Sequence, residues 1–220
     1  MKSKALKLVL TTVLIVAAAP VLAGPYDVGL TVGTLGVGVQ AGMIIVPNKL
    51  DVRAGLSGLN YNYNTTSSGV DYSGELKLET VSVLGDWHPF EGGFRVTGGL
   101  FQNGNQFDLT GNATSGNFTF NNNTYTAAQA GTVTASVAFP SVAPYIGFGW
   151  DDNSATTGFH FSSDVGLMYQ GRPSATLTAT GAATNAVLAA DVQAAQTTLQ
   201  NDLNKFEFYP VAQISLNYRF

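Results

Sequence analysis

An alternation of apolar and polar residues at the end of the chain constrains the fold more than any other feature. Successive side chains of a β-strand point to opposite sides, so a period of two predicts a strand. One face carries Phe208, Pro210, Ala212, Ile214, Leu216, Tyr218 and Phe220. The other carries Glu207, Tyr209, Val211, Gln213, Ser215, Asn217 and Arg219. The apolar face persists to the final residue and ends in aromatics, which is atypical of a soluble sheet.

The same alternation recurs in segments close to the length that a tilted membrane strand requires, about 9–11 residues. These segments cover residues 35–45, 50–57, 75–79, 94–100, 142–150 and 159–169. The phase slips between Leu78 and Val81 and again after Leu100. We interpret the slips as β-bulges or as the edge of an apolar band. Beyond residue 24, no apolar stretch is long enough to span a membrane as a helix.

The one long apolar block lies at the start of the chain. Lys2, Lys4 and Lys7 precede an apolar run over 8–16, and 21–23 reads Val-Leu-Ala. This order predicts a secretory signal peptide over 1–23 that is cleaved after Ala23, leaving a mature domain over 24–220. The alternative is a membrane anchor, for which the run is short. The chain has no cysteine, which excludes a lipoprotein signal, disulfides and thiol chemistry.

The connections between the alternating segments are short and long in turn. The short ones cover 47–49, 88–92 and 151–157, and the long ones cover 63–71, 110–141 and 172–205. Outer-membrane barrels have short periplasmic turns and longer external loops. The aromatics near the short turns and the chain end predict a girdle at the membrane interface on the periplasmic side. These aromatics are Trp87, Phe90, Phe94, Trp150, Phe159, Tyr218 and Phe220.

Counting strands back from a periplasmic carboxyl terminus yields seven, whereas a closed bacterial barrel needs an even number. Residues 26–32 supply the eighth strand in the version that we favour, and residues 175–180 supply it in the alternative. The sequence therefore predicts an all-β fold, a closed antiparallel transmembrane barrel of eight strands. Apolar residues at helical spacing predict one helix over 185–204 in the last long loop. With an even number of strands and a periplasmic carboxyl terminus, this helix lies outside the cell. A different strand count would place it in the periplasm.

The inward faces of these strands carry charged residues. The predicted lumen network is Asp51, Arg53, Glu75, Lys77, Glu79, Arg95, Asp164, Glu207 and Arg219. An eight-stranded barrel has an interior just wide enough for side chains, so these charges should pair with one another and plug the lumen. The alternative is a narrow polar conduit for water, ions or small solutes.

Catalysis and metal binding find little support in the residue pattern. His160, Ser162 and Asp164 share one face of one strand and echo the His-x-Ser of lipid A deacylase barrels, but residues on one strand rise along it rather than converge. His88 lies in a turn beside the aromatics. No group of His and Asp has ligand spacing. We therefore predict no catalytic residue, no metal site and no cofactor.

The final string ISLNYRF, with Tyr218 and Phe220, resembles the carboxyl-terminal signal that the barrel assembly machinery recognises in outer-membrane barrels. The chain as a whole is similar in architecture to the OmpA transmembrane domain, OmpX and OmpW. The strings LGDWHPFEGGFR and VAPYIGFGW look closer to a family of uncharacterised proteobacterial barrels. The resemblance implies the outer membrane of a Gram-negative bacterium as the location.

Three functions remain in order of preference: a structural or surface-interaction barrel, a narrow porin-like channel, and a lipid-modifying enzyme. The expected partners are outer-membrane lipids and lipopolysaccharide, with the barrel assembly machinery and periplasmic chaperones during biogenesis. The net charge of −4 does not favour nucleic acid. We expect a monomer that is not an enzyme.

Overall fold

The computed structural model describes residues 26–113, 115–151 and 156–220. The predicted signal peptide, residues 1–23, lies outside the described residues, as do residues 152–155 of the predicted turn at 151–157. Among the described helices, none is both long and apolar enough to cross a membrane.

Strands account for most of the described chain. They are β1 (Tyr26–Gly33), β2 (Gly36–Val46), β3 (Leu50–Ser67), β4 (Val70–Trp87), β5 (Phe94–Asn103), β6 (Gln106–Ala113), β7 (Asn117–Phe120), β8 (Asn123–Thr126), β9 (Thr132–Ala138), β10 (Val142–Asp151), β11 (Gly158–Tyr169), β12 (Ser174–Ala179) and β13 (Phe208–Arg219). The helices are α1 (Ala127–Ala130), a 3-10 turn (Thr180–Ala183) and α2 (Ala186–Leu203).

Eight of these strands form a closed ring, in the order β4-β3-β2-β1-β13-β11-β10-β5, and the pairing of β4 with β5 closes it. Every pair in the ring is antiparallel. The favoured eighth strand is confirmed, because β1 pairs with both β2 and β13. The alternative, residues 175–180, is also a strand, β12, but it lies outside the ring.

The hairpin of β3 and β4 is longer than the ring requires. The two strands pair without a break from Leu50 and Trp87 to Ser67 and Val70. Ser68 and Gly69 join them with φ values of 52° and 75°, the left-handed pair that a two-residue hairpin turn needs. The first half of β4, from Val70 to Lys77, pairs with β6, and β9 and β12 follow β6 in the sheet. The outer parts of β3 and β4 together with β6, β9 and β12 form a five-stranded sheet. We call it the distal sheet, and its end of the molecule the distal end.

The opposite end of the ring is the turn end, where β2 meets β3, β4 meets β5, and β13 finishes at Arg219. The β2–β3 connection contains Asn48 with a φ of 59° and the β4–β5 connection contains Glu91 with a φ of 54°. The short connections after β2 and β4 lie at the turn end. The distal end carries the long insertions after β5 and β11, as predicted, together with two tight turns, Thr34-Leu35 and Ser68-Gly69. The predicted long connection over 63–71 is wrong, because β3 and β4 continue through it.

Of the two interpretations of the phase slips, β-bulges are wrong for β4 and β5, and the edge of an apolar band fits. The register of β4 with β5 and with β3 is continuous, and an irregularity lies between Ile44 and Val46, where β2 pairs with β3. In β4 the outer face carries Val81 within the ring and charged residues above it, while the inner face stays buried at Leu78. The polarity of the outer face changes above the ring, and the strand keeps its phase.

The distal sheet has a hydrophobic core separate from the ring. Side chains from the sheet, the β7–β8 hairpin and α2 form it: Val70, Phe118, Phe120, Tyr125, Ala130, Val133, Ala179, Leu188 and Val192. The helix α2 begins where the Asn185 side chain accepts hydrogen bonds from the amides of Val187 and Leu188, both at 3.1 Å, a typical N-cap. It occupies almost the whole predicted range of 185–204.

The helix α2 also protects an exposed strand edge. β12 is the last strand of the distal sheet, so one side of its backbone lacks a neighbouring strand. The side-chain oxygen of Gln200 accepts from the amide of Ala175 at 2.9 Å, and that of Gln196 accepts from Leu177 at 3.1 Å. Covering an edge in this way blocks pairing with another chain.

Asp191 attaches α2 to the β7–β8 hairpin. Its carboxylate accepts hydrogen bonds from the hydroxyl of Tyr125, from Asn123 Nδ2 at 2.7 Å and from Asn121 Nδ2 at 3.1 Å. The hydrogen bond from Tyr125, followed by those from the two asparagines, lowers the pKa of Asp191 below its ordinary value of 3.8. The ionised form is thus the one that holds the hairpin.

The lowered pKa of Asp191 predicts a pH dependence for the distal sheet. Its contribution to stability is full above the ordinary carboxyl pKa and is lost as the pH falls through the lowered value. Thermal unfolding of α2, followed by circular dichroism from pH 7 to pH 3, should therefore show a falling Tm in the wild type. In Asp191→Asn the Tm should start lower and change less with pH. Asp202→Asn, at a side chain that is 70% exposed, serves as the control and should keep the wild-type profile.

Candidate functional site in the ring interior

The interior of the ring near the turn end holds a network of buried charges. Arg53 on β3 makes two bonds to Asp86 on β4, from Nε to Oδ2 at 2.5 Å and from Nη2 to Oδ1 at 3.1 Å. It also reaches across to Asp164 on β11, from Nη1 to Oδ2 at 3.0 Å and from Nη2 to Oδ1 at 2.9 Å. One guanidinium thus binds two carboxylates through paired bonds, the geometry for which arginine is best suited.

A second arginine extends the network. Arg95 on β5 donates from Nη2 to Asp164 Oδ2 at 2.9 Å and from Nη1 to Asp151 Oδ2 at 2.7 Å. Thr97 adds a hydrogen bond to Asp86 Oδ1 at 2.5 Å. We call Arg53, Asp86, Arg95, Asp151 and Asp164 the ionic layer. It joins five strands across the lumen.

A glycine on β10 makes room for this layer. A Cβ added at Gly149 would lie 3.1 Å from Arg95 Nε and 3.1 Å from Asp164 Oδ1. The same Cβ would lie only 2.2 Å from the backbone carbonyl oxygen of Ser163, so a larger residue would clash with the neighbouring strand and crowd both side chains. The glycines that alternate with apolar residues in the string YIGFGW are therefore inward positions, of which at least Gly149 is occupied by a neighbouring side chain.

Towards the distal end the lumen is apolar. The buried residues Leu35, Leu84, Phe101, Ala143, Tyr145, Met168 and Val211 form one cluster, which we call the apolar layer. The rings of Phe101 and Tyr145 pack edge to face with centroids 5.4 Å apart. Beside the ionic layer there remains a cavity of about 20 Å³, space for about one water molecule. The lumen is filled in two layers rather than by charges alone.

Four of the predicted lumen residues come together as expected: Asp51, Arg53, Arg95 and Asp164. Arg219 also points inward, but its partner is Asp27, with Nη2 and Oδ2 3.5 Å apart. Asp27 closes the β1–β13 seam, since it stands opposite Arg219 in the register of the two strands.

The prediction is wrong for the remaining four lumen residues, which lie outside the ring interior. Glu75, Lys77 and Glu79 lie exposed on the outer face of β4 in or next to the distal sheet, where Lys77 Nζ contacts Glu79 Oε2 at 2.7 Å. Glu207 lies at the distal end and binds Arg172 at 2.7 Å. Leu76 and Leu78, between these charged residues, lie on the inner face of β4. Above the ring, the apolar side chains of β4 point inward and its charged side chains point to solvent. The predicted inner and outer faces of this segment are therefore exchanged.

The sequence reasoning missed Asp86, His88 and Asp151. Asp86 is completely buried and receives bonds from both Arg53 and Thr97. The signal was present, since Val81, Val83 and Trp87 are apolar and exposed, which places Asp86 on the opposite face. The supposed phase slip in β4 concealed it.

His160, Ser162 and Asp164, the three residues compared with lipid A deacylase barrels, each have a different partner. His160 Nε2 lies 2.8 Å from the carbonyl oxygen of Thr156, and Ser162 Oγ accepts from Asn217 Nδ2 at 3.0 Å. Asp164 is held by the two arginines. The three residues thus lie along one strand and serve separate contacts.

The outside of the ring is apolar. The exposed side chains that cover its middle include Val28, Leu30, Val32, Val52, Leu56, Val83, Leu100, Ile146, Phe161, Val165, Leu167, Ile214 and Leu216. At the turn end, all seven predicted girdle aromatics lie on or next to this surface. Phe94 packs edge to face with Trp150 at 5.6 Å, and Phe159 with Tyr218 at 5.1 Å. Phe90 and Phe220 extend these two clusters, and Trp87 is 57% exposed.

The ionic layer should be essential to the stability of the ring. Arg53→Met leaves Asp86 and Asp164 buried beside an apolar side chain, and we expect it to cost about 3–5 kcal/mol of unfolding free energy. Lys77→Met is the matched control at an exposed ion pair, with an expected change within about 0.5 kcal/mol. Urea unfolding of the folded protein in detergent micelles measures both. Equal losses in the two variants would contradict the role of the layer.

The fold of the chain is similar to that of two solved structures. The crystal structure of Acinetobacter baumannii CarO2 matches with a TM-score of 0.59 and 21% sequence identity, over 89% of this chain and 98% of that one. The crystal structure of Acinetobacter baumannii CarO matches with a TM-score of 0.58 and 22% identity, over the same shares. These matches do not support the OmpA, OmpX or OmpW resemblance in particular. At this identity the likeness shows the fold.

No protein-family model matches the chain, and no curated protein matches it.

Proposed function

We propose that this protein spans the outer membrane of a Gram-negative bacterium as an eight-stranded β-barrel. The observation that carries the proposal is the reversed polarity of the ring, with ionised side chains inside and a continuous apolar surface outside. Soluble monomers rarely expose an apolar surface of this extent. A closed ring also satisfies the backbone groups of every strand within the protein, which a lipid environment demands.

The proposed orientation places the turn end in the periplasm and the distal sheet outside the cell. Short turns face the periplasm in barrels of this kind, and longer loops face outwards. The aromatic clusters around Phe94 and Tyr218 then lie at the periplasmic interface, where aromatic side chains are enriched. A cleaved signal peptide over 1–23 and assembly through the terminal Tyr218 and Phe220 belong to this proposal.

The role that we assign is structural or surface-interacting. The ionic and apolar layers fill the lumen, whereas the distal sheet has its own core and presents a folded surface on the outer side. Lipopolysaccharide and outer-membrane lipids are the proposed partners of the mature monomer, and the barrel assembly machinery and periplasmic chaperones are those of its biogenesis. The proposal includes no catalytic activity.

A lysine on the outer face of the ring tests the membrane location. Ile146 lies mid-strand on β10 and is 67% exposed, so in water Ile146→Lys would cost almost nothing. In a bilayer, a lysine near the midplane should cost about 2–4 kcal/mol. The measurement is the unfolding free energy in lipid vesicles.

The control for this experiment is Ser73→Lys, which adds the same charge to the outer face of β4 in the distal sheet. We expect it to change the unfolding free energy by less than about 0.5 kcal/mol. If both variants lose the same small amount, the apolar surface does not face lipid.

The filled lumen predicts an electrically silent barrel. Planar bilayers that contain the wild-type protein should show no conductance steps above background, because the ionic and apolar layers lie in series. The variant Arg53→Gln/Arg95→Gln should also be silent, since Phe101 and Tyr145 still close the distal half. A general porin inserted in the same bilayers is the positive control. Steps from the wild type would instead favour the narrow solute channel.

A further inference from the structure

Beyond the proposed function, we propose that Asp51, His88 and Asp151 bind a first-row divalent metal ion at the turn end of the lumen. One potential ligand atom from each residue lies within 4.8 Å of the other two. Ligands on opposite sides of such an ion are about 4.2 Å apart. The three side chains therefore need to move by less than about 1 Å to share it.

The hydrogen bonds of His88 direct a lone pair into this cluster. Its Nδ1 lies 3.0 Å from the carbonyl oxygen of Gly92. A carbonyl oxygen only accepts, so Nδ1 carries the proton and donates it there. In the neutral ring Nε2 is then an acceptor, yet it faces Asp51 Oδ2 at 3.1 Å and Asp151 Oδ2 at 3.9 Å, which are acceptors too.

This lone pair is shielded from water, since His88 is 1% exposed. A divalent cation can bridge this buried nitrogen and the carboxylate oxygens beside it, because buried charged groups are either paired or bound to metal ions. The bond from Nδ1 to a backbone carbonyl is also the usual second contact of a metal-binding histidine, because it fixes the ring and leaves Nε2 for the metal. Two ligand atoms bound to one ion at 90–110° lie about 2.9–3.4 Å apart, the range of the contact between His88 and Asp51.

Asp151 also has a carboxylate oxygen that none of the described donors binds. Arg95 occupies Oδ2 at 2.7 Å, whereas Oδ1 is buried and accepts no hydrogen bond from any of the described residues. A buried carboxylate oxygen without a donor costs free energy unless a cation is near it. The cavity beside the ionic layer is lined by both Asp51 and Asp151, so it gives an ion space for a water ligand.

The charge balance also calls for a cation. The ionic layer and Asp51 together carry four carboxylates, Asp51, Asp86, Asp151 and Asp164, against the guanidiniums of Arg53 and Arg95. Aspartates thus outnumber arginines by four to two around this end of the lumen, a side-chain composition that suits a cation. One imidazole nitrogen with carboxylate oxygens suits Zn²⁺ or Mn²⁺ better than an ion that takes oxygen alone.

A bound ion would lock the turn end of the ring. Asp51 follows the β2–β3 turn, His88 begins the β4–β5 turn and Asp151 ends β10. A metal would connect these three neighbouring hairpin ends through their side chains, in addition to the backbone hydrogen bonds from His88 N to Lys49 O and from Asp151 N to Gly93 O. It would raise the Tm by an amount that grows with the logarithm of the free ion concentration once that concentration exceeds Kd.

Zn²⁺ titration of the full mature chain, folded in detergent, without a histidine tag and stripped by a chelator, tests the proposal. Isothermal calorimetry should show one Zn²⁺ per chain. His88→Gln and Asp151→Asn should each weaken binding at least tenfold. His160→Gln, which removes the other of the two histidines, is the matched control and should bind as the wild type does. Absence of Zn²⁺ binding, or equal binding by His88→Gln, would overturn the site.

A second measurement covers the case in which His88→Gln does not fold. Mn²⁺ bound to the wild type should show the magnetic coupling of an imidazole nitrogen in pulsed electron paramagnetic resonance. Because the chain has only two histidines, the coupling assigns His88 if it persists in His160→Gln. Loss of the coupling in that variant, or its absence from the wild type, would contradict the proposal. Neither result depends on the membrane location, so the site and the proposed function can fail separately.

Discussion

The closure of the ring is the constraint on which the rest of the structure depends. The first and last strands pair, with Asp27 opposite Arg219, and β4 pairs with β5. Each of the eight strands then has two neighbours, so the ring has no free edge. Eight strands also leave an interior just wide enough for side chains. The inward residues must therefore fill the space and satisfy one another, which explains both the ionic layer and the apolar layer.

The unusual length of β3 and β4 converts this ring into a molecule with two parts. The same hairpin that forms one wall of the ring continues as the first two strands of the distal sheet. Its inner face has a core of its own, and α2 protects its last strand through Gln196 and Gln200. The turn end, in contrast, has no added sheet among the described residues and consists of tight turns that lie near His88. The distal end thus carries a second folded layer, and the turn end carries the charged side chains that fill the lumen.

Much of the ring followed from the pattern of residues. The first strand, the outward aromatics and helix α2 all come from local rules: period two, the number of strands and the spacing of Leu188 and Val192. The errors in the lumen network have one cause. Period two shows that two residues lie on opposite faces, but it does not show what each face contacts. Glu75 and Asp86 are both acids on β4, and only Asp86 lies inside the ring.

By itself, the sequence determined the class of fold, the strands and the face on which most side chains of the ring lie, because these depend on neighbours in the chain. Only the tertiary structure decided which inward groups meet. Arg53 and Asp164 are far apart in sequence, and so are Asp51, His88 and Asp151. They come together because the ring brings strands from both ends of the chain around one narrow lumen. The physical reason is that register and closure are set by pairing across the whole ring, which no single segment encodes.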